Sequence, residues 1–418
     1  MNKEYLRKLA RLAVRSGVNV QKGQTVVLNS PVEAVELARL INQEAYLAGA
    51  KEVIIRYMDD EADHERYLHA DPQIFAECPD WKASLLNDTA ADGACYIHID
   101  GDNPALMADI NPEYPMAQSS ALKKKAALYR SRIDKGEAAW TIVPFAHPDW
   151  AKSVYPELEE NQAVEALWND LFAVCRIDEN DPVENWEKHD QSFRRRMDRL
   201  NALNLKKIHY SNSLGTDLEV ELPEGYLFQG GSSVIENRSE NGYRFFPNIP
   251  TEEIFTAPLK TGVNGIVYSS MPLNHNGALV KNFHLKFKDG AVTEAIAEEG
   301  QDVLDAILNT DQNARYLGEA ALVPFGSPIQ QLSRIFFNTL IDENASCHLA
   351  LGQSYGECIQ NGLKMSKEEL EAAGMNQSDA HVDFMIGTPD LKIAGITADG
   401  DEVEIFTDGK FPGWIDQD

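Results

Sequence analysis

The chain has 418 residues and carries 66 acidic against 38 basic side chains, a formal net charge of −28. That field repels a phosphate backbone, which argues against nucleic acid as a partner. No apolar run is long enough to span a bilayer, so no membrane partner is expected, and the length exceeds one typical core, so two domains are.

The opening stretch, "MNKEYLRKLARLAVRSG", has helical apolar spacing interrupted by charges and no small-residue cleavage site, so a cytoplasmic location is the expectation. A short buried-type strand, "QTVVLNS", follows it. Next comes a helix, "SPVEAVELARLINQEAYLAGA", with Ser30 as its cap, Pro31 in its first turn and Gly49 near its stop. "EVIIRYM" completes a β-α-β unit, for which a right-handed parallel crossover is expected. "ACYIHID" and "AAWTIVPF" read as further strands of the same sheet, and two long helical stretches occupy residues 161–175 and 183–203. Beyond that point the character changes. Residues 206–222 read as a hairpin turning at Leu214–Gly215, and residues 277–298 as a second one turning at Asp289–Gly290. "EIFTAP", "IVYSS", "EAALVP", "SCHLALG", "HVDFMIG", "IAGITADG" and "EVEIFTDG" are further short strands. The expected architecture is an N-terminal α/β domain with a partly parallel sheet, residues 1–203, followed by a β-rich α+β domain, residues 204–418.

Several motifs are set aside. "HERYLH" places His64 and His69 five apart, on different helical faces, where a zinc-protease helix needs four. "GQSYG", residues 352–356, matches a nucleophile elbow at Ser354, but only about 60 residues follow it, little room for the rest of such a sheet. No glycine pattern for a dinucleotide or phosphate loop follows the early strands. Five widely spaced cysteines without a C-x-x-C pair suggest neither a disulfide framework nor a zinc knuckle. The basic run Lys123–Lys125 reads as a solvated helix face.

The second half gathers carboxylates and imidazoles at or near strand ends. They are Glu253, Glu319, Glu343, His348, His381 and Asp383. Each has an ordinary reading: a strand-edge charge for Glu319, a helix end for Glu343, a hydrogen-bonded core imidazole for His348. His381 and Asp383 stand two apart on a strand, so they share a face and could be a plain hydrogen-bonded pair. Glu252 and Glu253 point to opposite faces, and spacing alone does not choose between them. Taken together, four carboxylates and two histidines suit two divalent ions that share a bridging carboxylate and activate water. Oxygen and imidazole donors without thiolate fit Zn²⁺, Co²⁺ or Mn²⁺.

"PTEEIFTAP", "LGEAALVP", "HLALGQSYGECIQNG" and "HVDFMIG" resemble the landmark segments of the aminopeptidase T and aminopeptidase S family, metallopeptidases that lack H-E-x-x-H. The likeness runs the length of the chain and includes "LNHNGALVKNFHLKFKDGAV". It implies that Glu253, Glu319, His348, His381 and Asp383 ligate two metals, with Glu319 bridging. It implies that Glu343 is a further ligand or the general base, and that Tyr355 faces the developing oxyanion. It also implies a cytoplasmic homodimer acting on short peptides with free N-termini, with the N-terminal domain helping to wall the site. Two other classes stand beside this one: a serine hydrolase through Ser354, and a non-enzymatic cation-binding protein, which His348 and His381 argue against if the ion is Ca²⁺.

Overall fold

The computed structural model describes residues 2–236, 242–275 and 278–417. It comprises two compact units, Met1–Lys188 with Ser232–Pro250, and His189–Gly231 with Thr251–Asp418. The single division after residue 203 read from the sequence had no returning segment. Among the described residues, no helix is long and apolar enough to cross a membrane.

In the first unit, β1 (Thr25–Pro31), β2 (Glu52–Met58), β3 (Cys95–Asp100) and β4 (Trp140–Pro144) form a parallel sheet in the order β2-β1-β3-β4. Val26, Val27 and Leu28 are fully buried, as expected of a central parallel strand covered on both faces. The helix Val35–Ala48 connects β1 to β2 and ends at Gly49, whose φ of +99° is the left-handed turn a glycine accepts without strain. Ser30 does not cap this helix. The ladder between β1 and β2 continues through Pro31 and Met58, so Ser30 stays in the strand and its hydroxyl donates to Pro31 O. The returning segment carries β8 (Ser233–Ile235) and β9 (Tyr243–Phe245), paired antiparallel, and Phe246 N donates to Gly17 O at 2.8 Å.

The second unit holds β5 (Leu205–Ser211), β6 (Asp217–Glu221), β7 (Gln229–Gly230), β10 (Ile254–Thr256), β11 (Val263–Tyr268), β12 (Leu273–His275), β13 (Ala278–Lys288) and β14 (Ala291–Glu299). It continues with β15 (Leu317–Leu322), β16 (His348–Gly352), β17 (His381–Met385), β18 (Lys392–Thr397) and β19 (Glu402–Phe406). Both expected hairpins form, as β5 with β6 and β13 with β14, the second turning at Asp289–Gly290; Gly277, the first residue expected in it, lies outside the described residues. One antiparallel sheet runs β12-β13-β11-β6-β5-β18-β19, with β14 on β13, and a second runs β17-β16-β15-β10-β7. The core of the unit takes side chains from both, including Ile208 and Val263 from the first and Leu349, Leu351, Val382 and Phe384 from the second.

One titratable group inside the parallel sheet makes the first unit sensitive to acid. Arg56 donates to Asn29 Oδ1 at 2.9 Å, and Asn29 Nδ2 lies 3.2 Å from His98 Nε2 and 3.3 Å from Nδ1, so the amide donates to the ring. Burial, and secondarily the Arg56 charge, push the His98 pKa down from 6.5 to about 4. Between those values the unfolded chain binds a proton that the folded chain refuses. Stability therefore falls as pH drops through this window, by at most about 1.4 kcal/mol per pH unit. Denaturant unfolding of His98→Gln from pH 7 to 4 is expected to show a shallower loss than the parent.

Candidate metal centre

The five-stranded sheet has two unlike faces because its strands alternate. Leu349 and Leu351 of β16 point into the core with Ala320, Leu322, Val382 and Phe384. The other face carries the polar set. Glu319 of β15 pairs with Ala350 of β16, which pairs with Asp383 of β17, so two carboxylates stand in one row with only a methyl group between them. His348 begins β16 on that face, and Gly352 at its far end pairs with His381. Glu253 immediately precedes β10. A bulge between Leu317 and Glu319 sets the row, and Gly318 makes it possible: a Cβ there would lie 2.2 Å from Gln353 O.

These side chains converge. Glu253 Oε2 is 3.0 Å from His348 Nε2, and Glu319 Oε1 is 3.4 Å from the same nitrogen. Glu319 Oε2 is 3.8 Å from His381 Nε2, and Asp383 Oδ1 is 3.5 Å from it. Two groups of three candidate ligands result, Glu253 with Glu319 and His348, and Glu319 with His381 and Asp383. Glu319 belongs to both and turns one oxygen to each imidazole. Glu343, at the start of a short turn Glu343–Ala345, stands outside both groups, although the charges of Asp383 and Glu253 reach it. Tyr355 is 43% exposed, and its ring centre lies 4.9 Å from that of His381 and 6.3 Å from that of Phe255.

Both imidazoles are oriented by the main chain. His348 Nδ1 is 3.1 Å from Ser346 O, and His381 Nδ1 is 2.8 Å from Gln353 O. A carbonyl only accepts, so each Nδ1 carries the hydrogen and each Nε2 faces the carboxylates. That is the arrangement of a metal-binding histidine with its outer hydrogen bond in place.

The charges are out of balance without a cation. Burial lifts the pKa of Glu319, His348 opposes that, and Glu253 lifts it again. Burial and then Asp383 push Glu343 well above the carboxylate range. Burial disfavours the charged form of His381, but Asp383 and Glu319 outweigh it and hold the pKa at about 9. His348 is raised well above its ordinary value by Glu253 and Glu319 despite its burial. Asp383 is depressed because His381 overrides burial. Glu253 Oε2 and His348 Nε2 are buried and close, yet neither makes a hydrogen bond. Orphaned buried polar atoms cost about 1–3 kcal/mol each. A divalent ion satisfies both the orphaned atoms and the excess negative charge, so this donor set fits one.

The other candidates fall elsewhere. Ser354 is 1% exposed, and its hydroxyl accepts from Asn376 N at 3.2 Å, so it does not stand on an exposed elbow. His64 faces Asp109 at 2.8 Å, while His69 pairs with Glu65. All five cysteines are free, and four of them are buried. Glu252 turns away from Glu253 and lies 3.9 Å from His189 Nε2. One acid beside the set was not foreseen. Glu357 follows Tyr355 in an aperiodic turn, and no spacing signal marks it.

The model of the family described as thermophilic metalloprotease (M29) matches residues 2–411. Aminopeptidase AmpS of Bacillus subtilis is 42% identical over 408 residues, which cover 98% of each chain. Aminopeptidase T of Thermus aquaticus is 38% identical over 408 residues, again 98% of each chain. The solved structure of wild-type AmpT from Thermus thermophilus superposes with a TM-score of 0.89 at 37% identity, covering 98% of this chain and 99% of that one. The chain therefore belongs to the M29 family of thermophilic metalloproteases, the family its landmark segments resemble.

Proposed function

We propose that this chain is an aminopeptidase that uses two divalent ions, held by Glu253, Glu319 and His348 on one side and by Glu319, His381 and Asp383 on the other. The observation that carries this reading is the placing of one Glu319 oxygen against each imidazole. The names of the relatives, all aminopeptidases, support the substrate class. Zn²⁺, Co²⁺ or Mn²⁺ suit these donors. Ions bound there supply Lewis acidity, polarising the scissile carbonyl and bringing the pKa of water towards neutrality. Nothing in the geometry favours a serine hydrolase through Ser354 or a purely structural cation site.

The protein's own groups do the rest. Glu343, outside both ligand groups, takes the proton from water as its oxygen adds to the carbonyl carbon. It returns that proton to the leaving nitrogen as the C–N bond breaks. Tyr355 donates its hydroxyl hydrogen to the carbonyl oxygen as negative charge builds there. Asn344 is a positioning residue: its Oδ1 accepts from Glu252 N at 2.6 Å, while its Nδ2 donates to Leu340 O at 2.9 Å. It thereby ties the turn that carries Glu343 to the segment that carries Glu253. A cytoplasmic homodimer is part of the same proposal and rests on the resemblance alone.

The test is hydrolysis of aminoacyl-p-nitroanilides by chelator-stripped protein, with Zn²⁺, Co²⁺ or Mn²⁺ added back. Metal is expected to restore the parent and not His381→Ala, whose kcat/KM stays at least about 100-fold down. Activity indifferent to chelation, or one ion per chain in the active protein by mass spectrometry, overturns the two-ion reading. Tyr355→Phe is expected to lower kcat by about 10²–10³ with metal content unchanged. Asn344→Ala is expected to cost about 1–3 kcal/mol in denaturant unfolding and to weaken metal retention about 10- to 100-fold. Asn344→Asp, which keeps the acceptor for Glu252 N, is expected to recover part of both.

A further inference from the structure

We propose that Glu357 receives the α-ammonium group of the substrate and thereby restricts cleavage to chain ends, an inference that rests on the aminopeptidase reading above. Glu357 occupies the short turn Gly356–Cys358, two residues after Tyr355. The turn is pinned at several points. Gln229 Nε2 donates to Glu357 O at 2.9 Å, Leu227 N donates to Cys358 O at 2.7 Å, and Cys358 N donates to Tyr355 O at 3.1 Å. Gln229 lies in β7, beside β10, and Glu253 immediately precedes β10. At the other end, the Tyr355 ring packs 4.9 Å from that of His381 on β17. Cys358 is buried with Ala257 and Ile359, which fixes the far side of the turn. The turn thus runs along the ligand-bearing face, from the His381 side to the Glu253 side.

Like Glu343, which the mechanism above uses as its base, Glu357 lacks a partner. Among the described residues, no donor or cation meets its carboxylate. Two buried acids of this unit are occupied by contrast: Asp342 accepts from Phe336 N and Asn338 N, and Glu252 faces His189. Burial, followed by the charges of Glu319 and Glu253, raises the Glu357 pKa to about 7. An uncompensated acid in such a position calls for a cation, and a free peptide brings one. The α-nitrogen stands two bonds from the scissile carbonyl carbon. Its acceptor therefore belongs on the same wall as the group that meets the carbonyl oxygen, and Glu357 shares a turn with Tyr355. An internal peptide bond offers a neutral amide there instead, which brings the carboxylate no counter-charge, a basis for discrimination against chain interiors.

The experiment uses the metal-loaded full chain and two inhibitors, leucine hydroxamate and its amine-free analogue, 4-methylpentanohydroxamate. The parent is expected to bind the amine-bearing compound about 10- to 100-fold more tightly, the range for a charge-assisted hydrogen bond. Glu357→Gln and Glu357→Ala are expected to abolish that preference. Both should keep the parent's affinity for the amine-free compound and its metal content, and should raise KM for leucyl-p-nitroanilide more than they lower kcat. A preference that survives in Glu357→Gln overturns the inference while leaving the aminopeptidase reading intact. A loss of metal in both variants overturns it too, and makes Glu357 a ligand. A parent that hydrolyses no aminoacyl substrate and ignores the amine overturns both.

Discussion

A single buried carboxylate, Glu319, lies against two imidazoles at once, and the second unit is organised around keeping it there. Glu253, Asp383 and Glu343 crowd the same volume, so the arrangement is repulsive in itself. What opposes that repulsion is the reverse side of the same strands. Leu349, Leu351, Val382 and Phe384 are buried in the core, each contributing on the order of 1.5–3 kcal/mol of hydrophobic stabilisation. The strict alternation of β16 and β17 is thus a division of labour. One face anchors the sheet, and the other holds charges that water would otherwise disperse.

Much of this was legible in the sequence, for a physical reason: a strand has period two. His381 and Asp383, two apart, were expected on one face, and they stand 3.5 Å from each other. Glu252 and Glu253, adjacent, were expected to diverge, and one faces His189 while the other faces His348. The four-stranded sheet with its helices, and the antiparallel unit after it, followed from apolar spacing and turn residues. What local pattern did not carry is whatever depends on distant backbone. The return of residues 232–250 to the first unit is held by contacts such as Phe246 N to Gly17 O and the bridge of Ile142 with Asn248, which leave no trace in nearby residues. Ser30 offered a reasonable helix cap until a parallel neighbour claimed it. Glu357 lies in a turn without periodicity, and only the strands around it give it a setting.

The relation between the two units' polar interiors is instructive. In the parallel sheet, Arg56, Asn29 and His98 form a chain in which one donor meets one acceptor, and burial, helped by the Arg56 charge, keeps the imidazole neutral. In the antiparallel sheet, acids outnumber donors, and the imidazoles are pulled towards the charged state. The same side chain, largely shielded from water in both places, is driven in opposite directions by its surroundings. Only the second arrangement leaves unmet demand for positive charge.

The acceptors that orient His348 and His381 are main-chain oxygens, those of Ser346 and Gln353. Replacing either side chain leaves the carbonyl in place, so the tilt of both rings is insulated from point substitution at the very residues that set it. Such a centre tolerates sequence drift around its rim and is vulnerable instead to movement of the backbone. Gly318 is where that movement would begin, because any larger residue there presses on the Gln353 carbonyl. A position without a side chain thereby governs the aim of His381, the imidazole that the Gln353 carbonyl holds.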